Sequence, residues 1–162
     1  MNRFWLKLLI FLIPAIGGAI YLVWRFSPEQ VLIRRAAVVF ECVEKGTLSA
    51  GTPKEKAQQF QDLLTEDFEL MAPRPLPSGP LPPAQAARSL LNFQQSVLSC
   101  RVTRDGETVA FPSEGHAIYQ STLEADVAVT PSNRRVMRYR CRFEFVKAEE
   151  EWLLRLIVLT PI

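Results

Sequence analysis

Apolar side chains recur along this chain at three different spacings, and each spacing predicts a different kind of element. From Phe4 to Trp24 there is no polar face at all: the stretch reads FWLKLLIFLIPAIGGAIYLVW, with Lys7 as its only charge. As a helix it would reach about 30 Å, the thickness of a bilayer's hydrocarbon core. Lys7 lies near enough to one end to extend toward head groups, and Trp5, Tyr21 and Trp24 fall near the two interfaces. The expectation for residues 1–26 is a short tail and one transmembrane anchor. A cleaved signal peptide, cut after Gly17-Gly18-Ala19, is the competing reading, but the apolar run continues five residues past that cut to Trp24.

The next spacing is helical. Ser27-Pro28-Glu29-Gln30 combines an N-cap, a first-turn proline and a capping-box glutamine, and predicts a helix to about Lys45, stopped at Gly46. Leu32, Ala36, Val39, Phe40 and Val43 share one face of it. A second start at Thr52-Pro53-Lys54-Glu55 leads a helix that buries Ala57, Phe60 and Leu64. A short strand is expected from Phe68 to Met71, followed by the proline-rich loop 73–83, PRPLPSGPLPP, whose fixed φ angles make it stiff. A third helix starts near Pro83 and carries Ala87, Leu90, Leu91 and Val97.

The last third alternates with a period of two and predicts strands. Cys100 to Phe111 is extended about an Asp105-Gly106 turn signal, and three further turns separate the runs 116–129, 135–147 and 152–160. Pairing 126 with 138 sets Asp126 by Arg138, Glu124 by Arg140 and Gln120 by Glu144 on an outer face. Val127, Leu123 and Tyr119 then meet Met137, Cys141 and Phe145 inside. In the second hairpin, 145 opposite 154 puts Glu144 beside Arg155 outside and stacks Phe143 and Phe145 on Leu156 and Leu154 inside.

Composition separates the two parts of the chain. The 162 residues are 48% apolar with a formal charge of +2. Arg3, Lys7 and Arg25 supply three of the 19 basic groups, so residues 27–162 hold 16 basic against 17 acidic groups. A near-neutral folded domain disfavours nucleic acid as a partner. Cys42, Cys100, Cys141 and the lone His116 have no metal-ligand spacing, so no metal site is expected, nor any cofactor. The cysteines read as buried thiols, with one disulfide plus one free thiol as the alternative. The short amino-terminal tail suggests export of the large domain, which in a bacterium means an inner-membrane protein with a periplasmic domain.

The order of elements carries a resemblance. Paired helices, the LLTEDFEL passage at Leu63 to Leu70, a third helix, and the runs GHAIYQSTLEADV, RYRCRFEF and EWLLRLIVL resemble the nuclear transport factor 2-like superfamily, which includes SnoaL-like and ketosteroid isomerase-like proteins. The resemblance covers residues 28–160. It implies an α+β fold: a cone of three helices packed on a curved, mostly antiparallel sheet around a pocket. Behind one membrane helix, such a cone is similar in architecture to an inner-membrane component of type IV secretion systems.

Candidate chemistry follows from the faces. The pocket wall is expected to hold Phe40, Phe60, Tyr119, Tyr139, Cys141, Phe143, Phe145 and Trp152, with His116 at the mouth. Proton-transfer members of the superfamily set a carboxylate base opposite a phenol. Tyr119 and Tyr139 offer the phenol, yet Glu124 and Asp126 face outward, so no catalytic residue is assigned. On the outer face Arg138, Arg140 and Arg142, with Leu153, Ile157 and Leu159, suit a homodimer contact. The expected function is a noncatalytic, membrane-tethered binding or scaffold module of the cell envelope, taking a protein partner or a small apolar ligand. The alternative is a cofactor-independent isomerase, dehydratase or hydrolase acting in the cone.

Overall fold

The computed structural model describes residues 26–46, 49–74 and 76–162, and the expected anchor at 4–24 lies outside them. No helix among the described residues is long and apolar enough to cross a membrane. The elements run α1 (Pro28–Val43), α2 (Pro53–Asp62), β1 (Leu64–Met71), β2 (Gly79–Pro80), α3 (Pro83–Ser96), β3 (Ser99–Ser113), β4 (His116–Thr130), β5 (Asn133–Ala148) and β6 (Glu151–Pro161). Residues Leu32–Ile162 form one compact unit.

Local chemistry sets the helix ends. At α2 the Thr52 hydroxyl accepts from the Glu55 N–H, and the Glu55 carboxylate accepts from the Thr52 N–H at 2.7 Å, which completes a capping box. That hydrogen bonding lowers the Glu55 carboxyl pKa. The helix stops at Asp62, two residues before Leu64, which starts β1 beside Leu154 of β6. Leu64 is therefore a buried strand residue rather than the last apolar position of a helix. The proline-rich loop folds back on the sheet: Gly79 and Pro80 pair with β1, and the buried Leu81 donates its N–H to the Phe68 carbonyl at 2.9 Å.

The sheet order is β2-β1-β6-β5-β4-β3, antiparallel except for the β1–β6 pair. Its inner face carries Tyr119, Leu123, Cys141, Phe143, Phe145, Leu154 and Ile157, which join Leu32, Ala36, Val39 and Phe40 of α1, Phe60 of α2 and Leu90 of α3 in one core. This is the expected α+β arrangement.

Two register details differ from expectation. In the β4–β5 hairpin Thr130 pairs with Asn133 across a two-residue turn, and an irregularity between Ala128 and Thr130 shifts the remaining pairs. Glu124 thus faces Arg138, Thr122 faces Arg140 and Ile118 faces Glu144. A slip of two residues keeps every side chain on its expected face, because the strand period is two. In the β5–β6 hairpin Phe145 does pair with Leu154, but Glu144 then pairs with Leu156, leaving Arg155 as an extra residue. This bulge reverses the faces of the rest of β6. Ile157 and Leu159, expected outside, instead pack on the core, and Leu156 and Val158 take the outer positions.

Candidate functional site

Strand β3 begins with Cys100, Val102 and Arg104 on the inner face, the last opposite Leu123. Asp105 pairs with Thr122 and Thr108 with Gln120, so Gly106 and Glu107 together oppose the single residue Ser121. Gly106 has φ +64°, the left-handed conformation that a bulge of this type assigns to glycine. The extra residue changes the alternation, and Glu107 joins Arg104 on the inner face instead of pointing away from it.

The result is a phenol–carboxylate pair. Tyr119, with 0% of its surface exposed, donates its hydroxyl to Glu107 Oε1 at 2.6 Å. Arg104 Nη1 donates to the same oxygen at 3.0 Å, and its guanidinium carbon sits 5.2 Å from the centroid of the Phe40 ring. The Arg104 and Glu107 side chains are 29% and 30% exposed, so the pair lies where the buried aromatics meet solvent. Burial first, and then the bond to Glu107, raise the Tyr119 pKa well above its ordinary value of 10.0, so the phenol is a committed donor at neutral pH. Beside it the Ser121 hydroxyl is buried with no hydrogen-bond partner of good geometry among the described residues.

Chemically, a neutral phenol and a carboxylate within one hydrogen bond can share a ligand's carbonyl and an acidic C–H or O–H. In this structure they satisfy one another. The volume beneath them is occupied by rings: Phe40 stacks on Phe143 at 5.1 Å, Tyr119 on Phe143 at 5.6 Å, and Phe143 meets Phe145 edge-on at 6.2 Å.

Of the expected wall residues, Phe40, Phe60, Tyr119, Cys141, Phe143 and Phe145 are buried together, while Tyr139 and Trp152 pack on them from partly exposed positions. They belong to one hydrophobic core cluster. The Tyr139 hydroxyl donates to Met137 Sδ at 3.3 Å, a sulfur and not a carboxylate. His116 does not reach the mouth: inward residues of β4 are odd-numbered, so it faces outward, its Nε2 3.6 Å from Glu144 Oε2. Outside, Arg138 pairs with Glu124 at 2.7 Å, Arg142 with Glu144 at 2.5 Å, and Arg134 with Asp126. The Arg134 hydrogen bond holds the Asp126 carboxyl below its ordinary value. The three cysteines are free and buried, and burial pushes Cys42 and Cys100 up to about 11 and Cys141 higher still. Among the described residues no group of three His, Cys, Asp or Glu side chains could hold a metal.

Sequence reasoning missed Glu107, Arg104 and Ser121. The one available signal was Gly106 inside an otherwise extended run, which suggests a bulge as readily as a turn.

No protein-family model matches the chain, and no curated protein sequence does either. Solved structures do match. The protein Kfla4162 of Kribbella flavida aligns with a TM-score of 0.68 at 13% identity, over 81% of this chain and 88% of that one. A structure from Novosphingobium aromaticivorans named as a candidate scytalone dehydratase gives 0.63 at 14%, over 82% and 83%. One from Streptomyces avermitilis, named as a candidate dehydratase of the NTF2-like family, gives 0.64 at 12%, over 82% and 94%. At such identities the likeness is one of fold, and the fold of this domain is that of the nuclear transport factor 2-like proteins.

Proposed function

We propose that this chain is a noncatalytic binding or scaffold module, tethered to a membrane by its apolar segment at 4–24 and presenting its domain to the cell envelope. The observation that supports the reading is the cluster of Phe40, Tyr119, Phe143 and Phe145, whose rings meet one another at 5.1 to 6.2 Å on the inner face of the sheet. Close-packed interiors of this kind admit no ligand without repacking. A tether concentrates such a module near other membrane-bound partners without any new contact. In a bacterium the compartment would be the periplasm.

Two measurements test this. Titrating the full chain with benzene or indole, followed by aromatic NMR shifts, is expected to give no saturable response in the wild type and a saturable one in Phe143→Ala, whose cavity has room. Saturable wild-type binding that shifts Tyr119 would overturn the packed interior. Membranes washed in alkaline carbonate are expected to retain the chain, and its release would overturn the tether.

A second reading rests on a separate observation, the 2.6 Å bond between Tyr119 and Glu107. Here the chain is a small cofactor-independent isomerase or dehydratase. Tyr119 donates to a developing oxyanion, Glu107 takes the proton, and Arg104 holds Glu107 in place. Two of the matching structures carry candidate-dehydratase names. A series of substituted phenols tests it: this reading requires affinity that rises with phenol acidity and is lost in Tyr119→Phe. No binding, or binding indifferent to that change, sinks it.

A further inference from the structure

Three side chains able to donate hydrogen bonds stand around the Glu107 carboxylate. Tyr119 and Ser121 are successive inward residues of β4, Arg104 lies on β3 opposite Leu123, and Gly106 and Glu107 together oppose Ser121. A guanidinium only donates, and burial keeps the Tyr119 phenol protonated at neutral pH. Such a set complements an anion that accepts on two oxygens.

Glu107 uses the set incompletely. Both of its bonds, 2.6 Å from Tyr119 and 3.0 Å from Arg104 Nη1, fall on Oε1, and Oε2 accepts none among the described residues. Ser121 is only 4% exposed, and its hydroxyl has no partner among the described residues. A buried hydroxyl left without a bond is costly. Glu107 belongs to the same strand as Arg104, three residues on, and makes a single-oxygen contact with it. A carboxylate free to align would take two parallel bonds from the guanidinium fork.

We propose that this site binds a small monocarboxylate, with Glu107 as the internal anion that the ligand displaces. One ligand oxygen accepts from the Tyr119 and Ser121 hydroxyls, and the guanidinium of Arg104 spans both oxygens while keeping its place by the Phe40 ring. The exchange is anion for anion, so the charge beside Arg104 is conserved. Glu107 has somewhere to go: its side chain is already 30% exposed, and a Cβ built on its neighbour Gly106 would meet nothing within 4 Å. The nearby Glu44 carboxylate does not take its place on Arg104, because it accepts from the Val102 N–H at 3.2 Å. Arg104 and Glu107 are the exposed members of the cluster, so the ligand enters from their side and its tail points back to solvent. The inference needs neither the tether nor proton transfer, and Glu107 here yields its place instead of acting as a base.

The test titrates the full chain in nonionic detergent with sodium propionate at constant ionic strength, with propionamide as the neutral isostere. NMR follows the Tyr119 ring and the Arg104 Nε–H. Propionate is expected to give saturable shifts in the wild type, and propionamide none. Glu107→Gln removes the competing anion at constant size and should tighten propionate at least fivefold. Arg104→Met should weaken it at least tenfold and Ser121→Ala at least threefold, whereas Arg138→Met, on the outer face, should leave it unchanged. Thermal unfolding checks that each variant folds; if Arg104→Met does not, Arg104→Lys replaces it, with a loss of at least threefold because an ammonium lacks the fork. A wild type without a saturable response, propionamide that binds as propionate does, a Glu107→Gln variant that binds no more tightly, folded Arg104 or Ser121 variants that bind as the wild type does, or an effect of Arg138→Met equal to that of Arg104→Met overturns the proposal. Phenol binding without propionate binding overturns it too, and leaves the proton-transfer reading standing.

Discussion

The Lys56 ammonium lies 2.5 Å from the Glu44 carbonyl oxygen, just past the last residue of α1, with the Lys56 residue only 5% exposed. It also donates to the Glu41 carbonyl at 2.9 Å and to the Ser49 hydroxyl. From α3, the buried Gln94 amide donates to the Cys42 carbonyl at 2.8 Å and the Val43 carbonyl at 2.9 Å. In return Lys45 donates to the carbonyls of Gln94 and Val97 at 2.6 Å each, closing the end of α3. Helix ends leave carbonyls without partners, and here two helices supply one another's caps while positive charge meets the negative end of each dipole.

Lys56→Met is therefore expected to lower stability by about 1–2 kcal/mol, because it keeps the packing of the stem but removes the ammonium from the Glu41 carbonyl and leaves the Glu44 carbonyl only its longer bonds from Ser49 and Gln94, at 3.2 Å each. Urea unfolding measures it. A loss under about 0.5 kcal/mol would mean that water replaces the ammonium freely.

Gly106→Ala should cost about 1–2 kcal/mol. The position has φ +64°, and an added Cβ would meet nothing within 4 Å, so the whole penalty is backbone strain and none is clash. Glu107→Gln should do something different: it leaves the backbone as it is and removes the carboxylate that accepts from Tyr119 and helps to raise its pKa. The phenol would then titrate at lower pH than in the wild type, a change readable by ultraviolet absorbance.

Alkaline pH should destabilise the fold. Cys42, Cys100, Cys141 and Tyr119 all have folded pKa values raised by burial above their ordinary 9.0 and 10.0. A raised folded value means that the unfolded chain releases protons first, so the contribution is intact below pH 9 and is lost as pH climbs through about 11. Denaturant midpoints at pH 7, 9 and 10.5 should show a fall confined to the upper interval. A variant with alanine at all three cysteines should show a shallower fall across it.

At the acid end, Arg134 depresses the Asp126 carboxyl, so that pair stabilises the fold above the ordinary 3.8 and ceases to do so as pH drops through the lower folded value. Carboxyl carbon NMR should find the Asp126 midpoint below 3.8 and returning toward it in Arg134→Gln. Both residues are at the surface, so 1 M salt should shrink the difference.

Which faces are buried was legible because periodicity encodes it directly. Cys141, Phe143 and Phe145 alternate with Arg140, Arg142 and Glu144, Tyr119 stands beside Gln120, and all four are inward in the structure as the pattern required. Even the mistaken β4–β5 register kept those faces, since its error was an even number of residues. The bulges were not legible. Arg155 and Gly106 each add one residue to a strand whose composition stays ordinary, and one added residue inverts everything beyond it. Ile157 and Leu159 moved inside for that reason, and Glu107 came to face Tyr119.

What the sequence determined by itself was therefore the element order, the α+β class, the inner set of aromatics and a near-neutral domain behind an apolar segment. These depend on local spacing and composition, which a chain carries before it folds. Only the tertiary structure decided that Phe40 of a helix stacks on Phe143 of the sheet, that Tyr119 binds Glu107, and that Ile157 and Leu159 turn inward. Each depends on where a strand gains a residue or which element lies beside which, and those outcomes are set by packing across the whole sheet, which no local pattern records.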